Sequence, residues 1–220
     1  MSDAVASADL MDRIYRRQRH VYDFTRKYYL LGRDRLIERL APPAGCRVLE
    51  IGCGTARNLV TAAHTWRDVQ FFGIDISAEM LETARRLVER AGLAPDIRLA
   101  LADATTFDPV LIFGVPGFSR IFISYSLSMM PGWQAVLDRA LGCLLPGGEL
   151  HIVDFGGQEG LPRWFRSALR GWLALFHVRP RDDLQAALAS RAQLKSIECP
   201  FRGYAQYAVC RRLTDQLIPG

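Results

Sequence analysis

The stretch "VLEIGCGTARNL" (Val48–Leu59) combines a buried-strand pattern, a glycine turn and the start of a helix. Gly52 and Gly54 allow a tight turn in which another backbone or a ligand can come close. A helix that begins directly after such a turn directs its free N–H groups toward the carboxyl end of the strand, where α/β sheets bind ligands. A dinucleotide fingerprint would require glycine at the position of Arg57, so a pyrophosphate ligand is not indicated.

Strand-like and helix-like segments alternate outward from this turn. Helices of about ten to fifteen residues between buried strands predict right-handed crossovers and a parallel sheet. The predicted strands are Arg47–Ile51, Val69–Asp75, Ile97–Asp103, Ser119–Ser126, Glu149–Phe155, Ala192–Cys199 and Tyr204–Arg212. The short link between the last two suits a hairpin. The predicted fold is therefore α/β and Rossmann-like, a mostly parallel seven-stranded sheet with an antiparallel terminal hairpin and helices on both faces.

Capping residues predict where several helices begin and end. Ser77 is the expected N-cap of a helix that stops at Gly92. A second helix is predicted over Trp133–Leu145, closed by the Pro146–Gly148 segment. Before the first strand, Asp9–Leu40 predicts one or two amphipathic helices, broken near glycine 32.

The chain of 220 residues predicts a single domain, and its hydrophobic content of 50% favours a packed core over disorder. Its expected parts are an N-terminal helical lid (1–44), a ligand-binding core (45–155), an inserted amphipathic helix with a crossover helix (156–192) and the hairpin (193–212). Neither a signal peptide nor a run of the ~20 apolar residues that a membrane-spanning helix needs is predicted. The five cysteines show no paired spacing, so neither a disulfide framework nor a metal site is indicated, and a reducing cytoplasm fits.

Acidic residues occupy the ends of the second and third predicted strands. Asp75 follows the glycines by about 20 residues, where a carboxylate can accept hydrogen bonds from both hydroxyls of a ribose. Asp103 ends the third strand, where it can accept from the amino group of an adenine. Either aspartate alone could cap a turn or be a solvated loop charge. Together with the glycine turn, they predict a nucleoside-containing ligand.

The segments "LEIGCGT", "GIDIS", "LADA" and "LLPGG" resemble the class I S-adenosylmethionine-dependent methyltransferases, over roughly Arg47–Phe155 and the terminal hairpin. The resemblance implies S-adenosyl-L-methionine as the cofactor. It assigns the glycines to the methionine moiety, the second-strand acid to the ribose, and Ile76 or Met80 to one face of the adenine. The residues expected in the cofactor site are Tyr29, Arg33, Glu50, Gly52, Gly54, Asp75, Ile76, Met80, Asp103, Ala104 and Ser124.

Other parts of the chain resemble the bacterial diacylglyceryl-homoserine N-methyltransferase family of betaine-lipid synthesis. They are "MDRIYRRQRHVYDFTRKYYLLGRDRLI", "ISYSLSMMPGW", "LHIVDFGGQEGLPRWFR" and "FHVRPR". This resemblance implies three successive methyl transfers to the homoserine amine. Tyr22 and Tyr125 are the candidates for holding that amine or relaying its proton. The candidates for binding the homoserine carboxylate are Arg26, Lys27 and Arg33, and for the last a structural role is an open alternative.

A basic and aromatic stretch, Arg163–His177, predicts an amphipathic helix with arginines opposite tryptophan and phenylalanine. That pattern is typical of a helix at an anionic lipid surface, although any helix that covers a sheet is amphipathic. With the net charge of +5, it favours an anionic or zwitterionic lipid substrate and attachment to the inner face of the cytoplasmic membrane. No nucleic-acid-binding module is present, and the fourth strand ends in Ser124-Tyr125-Ser126-Leu127 rather than in a base-methylating motif.

Three other functions stay open from the residues alone. The first is methylation of phosphatidylethanolamine, in which a phosphate replaces the carboxylate. The second is methylation of a soluble amine, for which the Arg163–His177 helix would only pack. The third is a non-catalytic lipid- or cofactor-binding protein. The sequence does not indicate an oligomeric state.

Overall fold

A computed structural model of the chain describes residues 30–212, in which seven strands form one sheet in the order β3-β2-β1-β4-β5-β7-β6. The strands are β1 (Arg47–Ile51), β2 (Gln70–Asp75), β3 (Ile97–Leu101), β4 (Phe118–Ser124), β5 (Leu144–Phe155), β6 (Ala192–Glu198) and β7 (Ala205–Arg212). The first five strands are parallel, and β7 is antiparallel to both β5 and β6. The predicted fold, including the terminal hairpin, is confirmed.

Helices cover both faces of this sheet. They are α1 (Arg33–Arg39), α2 (Arg57–Thr65), α3 (Ala78–Arg90), α4 (Pro109–Phe113), α5 (Trp133–Gly142), α6 (Arg163–Ala174) and α7 (Leu184–Ala189). Alternate strand residues belong to different apolar clusters: Val48 and Phe71 lie in one, whereas Leu49 and Phe72 lie in the other. The strand period of two therefore explains why both faces of the sheet are buried. No helix among residues 30–212 is long and apolar enough to cross a membrane.

Two predicted helix limits are confirmed. The Ser77 hydroxyl accepts a hydrogen bond from the Met80 amide at 3.2 Å and so caps α3. Beyond the other end of that helix, Gly92 adopts the left-handed conformation, with φ of 69°. Gly32 is also left-handed and directly precedes α1, in agreement with a break there. The predicted lid upstream of residue 30 lies outside the described residues.

Several predicted boundaries are wrong. The fifth strand begins at Leu144 rather than at Glu149, so the Pro146–Gly148 segment belongs to this strand. The helix predicted over Trp133–Leu145 ends at Gly142, because the Cys143 carbonyl accepts from the Phe118 amide at 3.0 Å and the next residue already pairs with β4. The third strand ends at Leu101, and a turn capped by the predicted Asp103 follows it. The fourth strand ends at Ser124, because the next residue has a φ of 54°.

A buried carboxylate near the middle of β5 is surrounded by several basic side chains. Glu149 is 6% exposed, and its Oε1 accepts from Lys195 at 2.7 Å and from Arg211 Nε at 3.0 Å. Its Oε2 lies 3.7 Å from Arg120 Nε and 3.3 Å from His151 Nε2. These contacts tie together the centre of the sheet and both strands of the hairpin.

The environment shifts the ionisation of both buried groups. Burial raises the pKa of Glu149, but hydrogen bonds from Lys195 and Arg211 and the charge of Arg120 outweigh it and hold the pKa at about 2. Burial lowers the pKa of His151 to about 4, although the neighbouring Glu149 opposes the shift. At neutral pH the glutamate is therefore ionised and the histidine neutral.

We predict that Glu149→Gln lowers the free energy of unfolding at pH 7 by about 1 to 3 kcal/mol, because Lys195 and Arg211 lose their shared carboxylate. The folded-state pKa of Glu149 lies below its ordinary value of 4.5, so this stabilisation is complete above about pH 4.5 and is lost as the pH falls toward 2. Urea unfolding at pH 7 and pH 3.5 measures the difference between the two proteins. The exposed Glu89→Gln on α3 is the control, and a difference that does not shrink at pH 3.5 would contradict the prediction.

Candidate functional site

The turn between β1 and α2 is built from left-handed residues. Gly52 has a φ of 70° and Gly54 a φ of 53°. A Cβ atom on Gly52 would lie 2.7 Å from the Cβ and Oγ atoms of Ser126, so a larger residue cannot replace this glycine without displacing the turn that follows β4. Ser126 Oγ in turn donates to the Ile51 carbonyl at 3.1 Å. The glycine turn is thus packed directly against the turn that follows β4.

The Asp75 carboxylate connects this turn to β2 and α3. Its Oδ2 accepts from the Gly54 amide at 2.8 Å, and its Oδ1 accepts from the Ser77 amide at 2.9 Å. A carboxylate oxygen has two lone pairs, so each oxygen can also accept from a hydroxyl of a ligand. The sequence-predicted ribose acid therefore lies beside the predicted glycine turn.

A cleft opens beside the turn. It is lined by Leu30, Arg33, Glu50, Gly52, Cys53, Gly54, Thr55, Arg57, Asn58 and Ser124. The cleft brings together five residues that the sequence assigned to the cofactor: Arg33, Glu50, Gly52, Gly54 and Ser124.

Two buried side chains in the cleft wall supply polar groups. Glu50 is 1% exposed, and its Oε1 accepts from Asn58 Nδ2 at 2.7 Å. Ser124 Oγ is buried and has no hydrogen-bond partner among residues 30–212. Buried hydroxyls are normally paired, so this one is suited to a bound ligand.

The cleft also contains residues that the sequence analysis did not assign to it. Asn58 lies at the second position of α2, and only the fold shows that its amide turns back to the strand. Cys53 also lines the cleft. Burial, together with the charges of Asp75 and Glu50, raises the pKa of its thiol well above the ordinary value, so the cysteine stays protonated.

The residues predicted to surround the adenine lie along the same edge of the sheet but not in the wall of this cleft. Asp103 Oδ1 accepts from the backbone and side chain of Thr105, at 2.8 and 2.7 Å, and so caps the turn after β3. Ile76 and Ala104 are half-buried. Met80 is buried and packs against Phe176. Their adenine contacts stay predictions.

Tyr125 occupies a different position from the one expected of a proton relay. Its hydroxyl donates to the Leu31 carbonyl at 2.5 Å, and its ring packs edge-on against Phe155 with centroids 4.8 Å apart. Burial and the charge of Asp154 raise the pKa of Tyr125 well above its ordinary value. The geometry favours a positioning role, through the segment that leads to Arg33. The other catalytic candidate, Tyr22, and the predicted cofactor contact Tyr29 lie outside the described residues.

Asp154 and Arg181, which hold the turn after β4, were not singled out by any sequence pattern. Asp154 is fully buried, and its Oδ2 accepts from the Ser128 amide at 2.8 Å. Burial raises the pKa of Asp154 to about 6, although its hydrogen bonds and Arg181 oppose the shift. Arg181 Nη2 donates to the Met130 carbonyl at 2.6 Å. A Cβ atom on Gly52 would lie 3.0 Å from the Met130 methyl group, so this clamp also supports the glycine turn.

Comparison with known proteins places this geometry in a family. Residues 48–148 match the family described as "Methyltransferase domain". The chain is 32% identical over 154 residues to the phosphatidylethanolamine N-methyltransferase of Cereibacter sphaeroides. The aligned region covers 70% of this chain and 72% of that protein. The chain belongs to the class I S-adenosylmethionine-dependent methyltransferases.

Other relatives of this methyltransferase differ in what they are named for. An O-methyltransferase of Pyrenophora dematioidea is 29% identical over 74% of this chain and 55% of that protein. The chain spans between 55 and 65% of the length of the first three curated relatives that it matches. A geranyl diphosphate C-methyltransferase of Streptomyces coelicolor A3(2), crystallised with S-adenosyl-L-homocysteine, shares the fold with a TM-score of 0.65 and 15% identity over 83% of this chain and 80% of that one.

The cleft of this methyltransferase fits S-adenosylmethionine, the cofactor of the family. The glycine turn and the buried Glu50 would hold the methionine portion. Asp75 does not line the cleft itself, but it binds the Gly54 amide of the turn and would offer acceptors to ribose hydroxyls there. The buried Ser124 hydroxyl supplies a further polar group at the end of β4.

We predict that Asp75→Asn weakens S-adenosylmethionine binding by about 5- to 150-fold, the equivalent of about 1 to 3 kcal/mol. The NH₂ group of the new amide would lie against the backbone N–H of Gly54 or Ser77, so that two donors face each other. One of the two oxygen acceptors for the ribose hydroxyls would also be lost. Isothermal titration calorimetry measures the affinity. Asp68→Asn, an exposed residue just before β2, is the control that should bind normally. An unchanged affinity in the Asp75 variant would remove this carboxylate from the site.

Ser124 and Ser126 offer a matched pair of substitutions. Ser124→Ala should leave the melting temperature unchanged, because its hydroxyl bonds to nothing among the described residues, while cofactor binding or turnover weakens about 2- to 10-fold. Ser126→Ala should lower the melting temperature, because the bond to the Ile51 carbonyl is lost. The reverse pattern would show that the Ser124 hydroxyl serves the fold rather than a ligand.

Proposed function

We propose that this methyltransferase methylates the amine of a lipid head group, and that diacylglyceryl homoserine is the acceptor. Three successive transfers would give the trimethylated homoserine lipid. The observation that carries the proposal is the similarity to a protein named as a phosphatidylethanolamine N-methyltransferase, of which the chain covers 72%. The O-methyltransferase relative is covered less fully, at 55%.

The choice of a homoserine head group is supported by the charge of the cleft wall. Arg33, the first residue of α1, is half-buried there, and the buried residues Leu36 and Ile37 anchor its helix to the core. A guanidinium binds a carboxylate through two parallel hydrogen bonds. Such a pair would hold the carboxylate of the acceptor and bring its amine toward Ser124 at the end of β4. The phosphate of phosphatidylethanolamine is also an anion, and the relative's name favours that lipid as the second candidate.

The bound cofactor would supply an electrophilic methyl group on a sulfonium. The residues of the cleft then have to align the amine with that methyl group and exclude water. The glycine turn and Asp75 would position the cofactor, whereas Arg33 and Ser124 would position the acceptor. The amine reacts only in its neutral form, so an ammonium proton must leave before each transfer. Tyr125 keeps its own proton at neutral pH, because its pKa is raised well above the ordinary value.

The acceptor can be identified by mass spectrometry. The protein is incubated with labelled S-adenosylmethionine and with vesicles that contain either diacylglyceryl homoserine or phosphatidylethanolamine. We expect mono-, di- and trimethylated homoserine lipid in the first case and little label in the second. Label in phosphatidylethanolamine alone would transfer the function to the second candidate. Label in neither lipid, from a protein that binds the cofactor, would overturn the lipid proposal in favour of a soluble acceptor.

A further inference from the structure

The first turn of α6 exposes two large aromatic side chains. Trp164 is 73% exposed and Phe165 41% exposed, and their rings meet edge to face with centroids 5.6 Å apart. The later part of the same helix is covered: Leu173 is buried, and Trp172 packs against the core. The apolar face predicted from the sequence is therefore divided, and only its second half holds the fold together. The first half faces outward. Exposed clusters of large apolar side chains of this kind commonly mark a binding surface.

A third exposed aromatic residue lies in the Pro200–Gly203 turn between β6 and β7. Phe201 is 50% exposed and has a φ of 56°, and the next residue, Arg202, has a φ of 58°. Two successive left-handed residues that are not glycine are strained, and such strain concentrates at binding sites. The Arg202 carbonyl accepts from the Gly160 amide at 3.2 Å, so the loop that leads into α6 lies directly on this turn.

The turn also lies next to the cofactor cleft. A Cβ atom on Gly32 would be 3.9 Å from the Phe201 ring, and Gly32 directly precedes Arg33 of the cleft wall. Leu31, the residue before that glycine, is 36% exposed. Exposed apolar side chains therefore continue from the turn to the side of the cleft on which Arg33 lies.

The charges of this region are mainly positive. Helix α6 contains no acidic residue, and no ion pair among residues 30–212 involves Arg163, Arg166 or Arg202. The remaining arginine of the helix is committed to the fold, since Arg170 binds both carboxylate oxygens of one aspartate at 2.9 and 3.0 Å. Glu159 is the exposed acid in the adjoining loop. Three unpaired guanidinium groups beside outward-facing aromatic rings are complementary to an anionic bilayer.

We propose that these residues form a docking rim, which binds the enzyme to an anionic membrane with the cleft beside the lipid head groups. The rim consists of Arg163, Trp164, Phe165, Arg166, Phe201 and Arg202. Its aromatic rings would enter the head-group region, and its arginines would bind lipid phosphates. The role of the rim in lipid methylation rests on the proposed function. Binding to vesicles, however, requires no methyl acceptor and can be measured alone.

The test is co-sedimentation of the full chain with phosphatidylcholine vesicles, with and without about 30% phosphatidylglycerol, at low salt. We expect recovery with the anionic vesicles and much less with phosphatidylcholine alone. The double variant Trp164→Ala/Phe165→Ala should bind at least about 10-fold more weakly. Arg163→Glu/Arg166→Glu should bind at least about 25-fold more weakly, since each basic residue contributes about 5-fold near an anionic surface.

Matched controls come from the opposite edge of the sheet. Leu111→Ala removes an apolar side chain that is 85% exposed on α4, and Arg90→Glu reverses an exposed charge at the end of α3. Both should bind vesicles like the unsubstituted chain. Circular dichroism of each variant establishes that it is folded. Controls that lose as much binding as the rim variants would overturn the assignment of this surface.

Three further outcomes would overturn the rim. Absence of vesicle binding by the unsubstituted chain would do so, and so would unchanged binding by both rim variants. The third outcome is an unsubstituted chain that self-associates and does not bind vesicles, and that becomes monomeric in the double variant Trp164→Ala/Phe165→Ala. It would show that a second copy of the chain covers the surface. Failure of the lipid methylation assay alone would overturn the proposed acceptor and leave vesicle binding as an independent result.

Discussion

The hydrogen bonds that Asp75 accepts from Gly54 and Ser77 are the constraint on which the site depends. They join the carboxyl end of β2 to the glycine turn and to the start of α3, at 2.8 and 2.9 Å. Gly52 completes the arrangement, because its missing side chain allows Ser126, in the turn after β4, to touch the glycine turn. Parallel strands place all these ends on one edge of the sheet. The cleft exists because three strand ends are held together there.

Strand β5 carries two buried carboxylates of opposite character, one near its middle and one near its carboxyl end. Near the middle, Glu149 is approached by Lys195 and Arg211, which stabilise the ionised form and hold the pKa at about 2. At its carboxyl end, Asp154 is enclosed mainly by backbone amides, and the cost of burial raises its pKa to about 6. The first carboxylate links strands of the sheet. The second holds the turn after β4, which supports the glycine turn. One strand therefore contributes both to the stability of the sheet and to the geometry of the site.

Local patterns were sufficient for the existence of the strands and for the Ser77 cap, because strand periodicity and capping act over a few residues. They were insufficient where a distant segment decides the outcome. The predicted helix after Trp133 ends early because Phe118 binds the Cys143 carbonyl. Tyr125 is held by Leu31, a residue 94 positions away in the chain, which no local pattern could show.

The sequence by itself determined the family, the alternation of strands and helices along the chain and the acidic residues after the second and third strands, since these follow from motifs and short-range periodicity. Only the tertiary structure decided the order of the strands in the sheet and which of several similar side chains are used inside the fold. Trp172 packs on the core while Trp164 faces outward, and Arg170 forms an ion pair while Arg166 has no ion-pair partner among residues 30–212. The physical reason is that burial and ion pairing depend on contacts between segments far apart in the chain, whereas a helical pattern shows only which residues share a face.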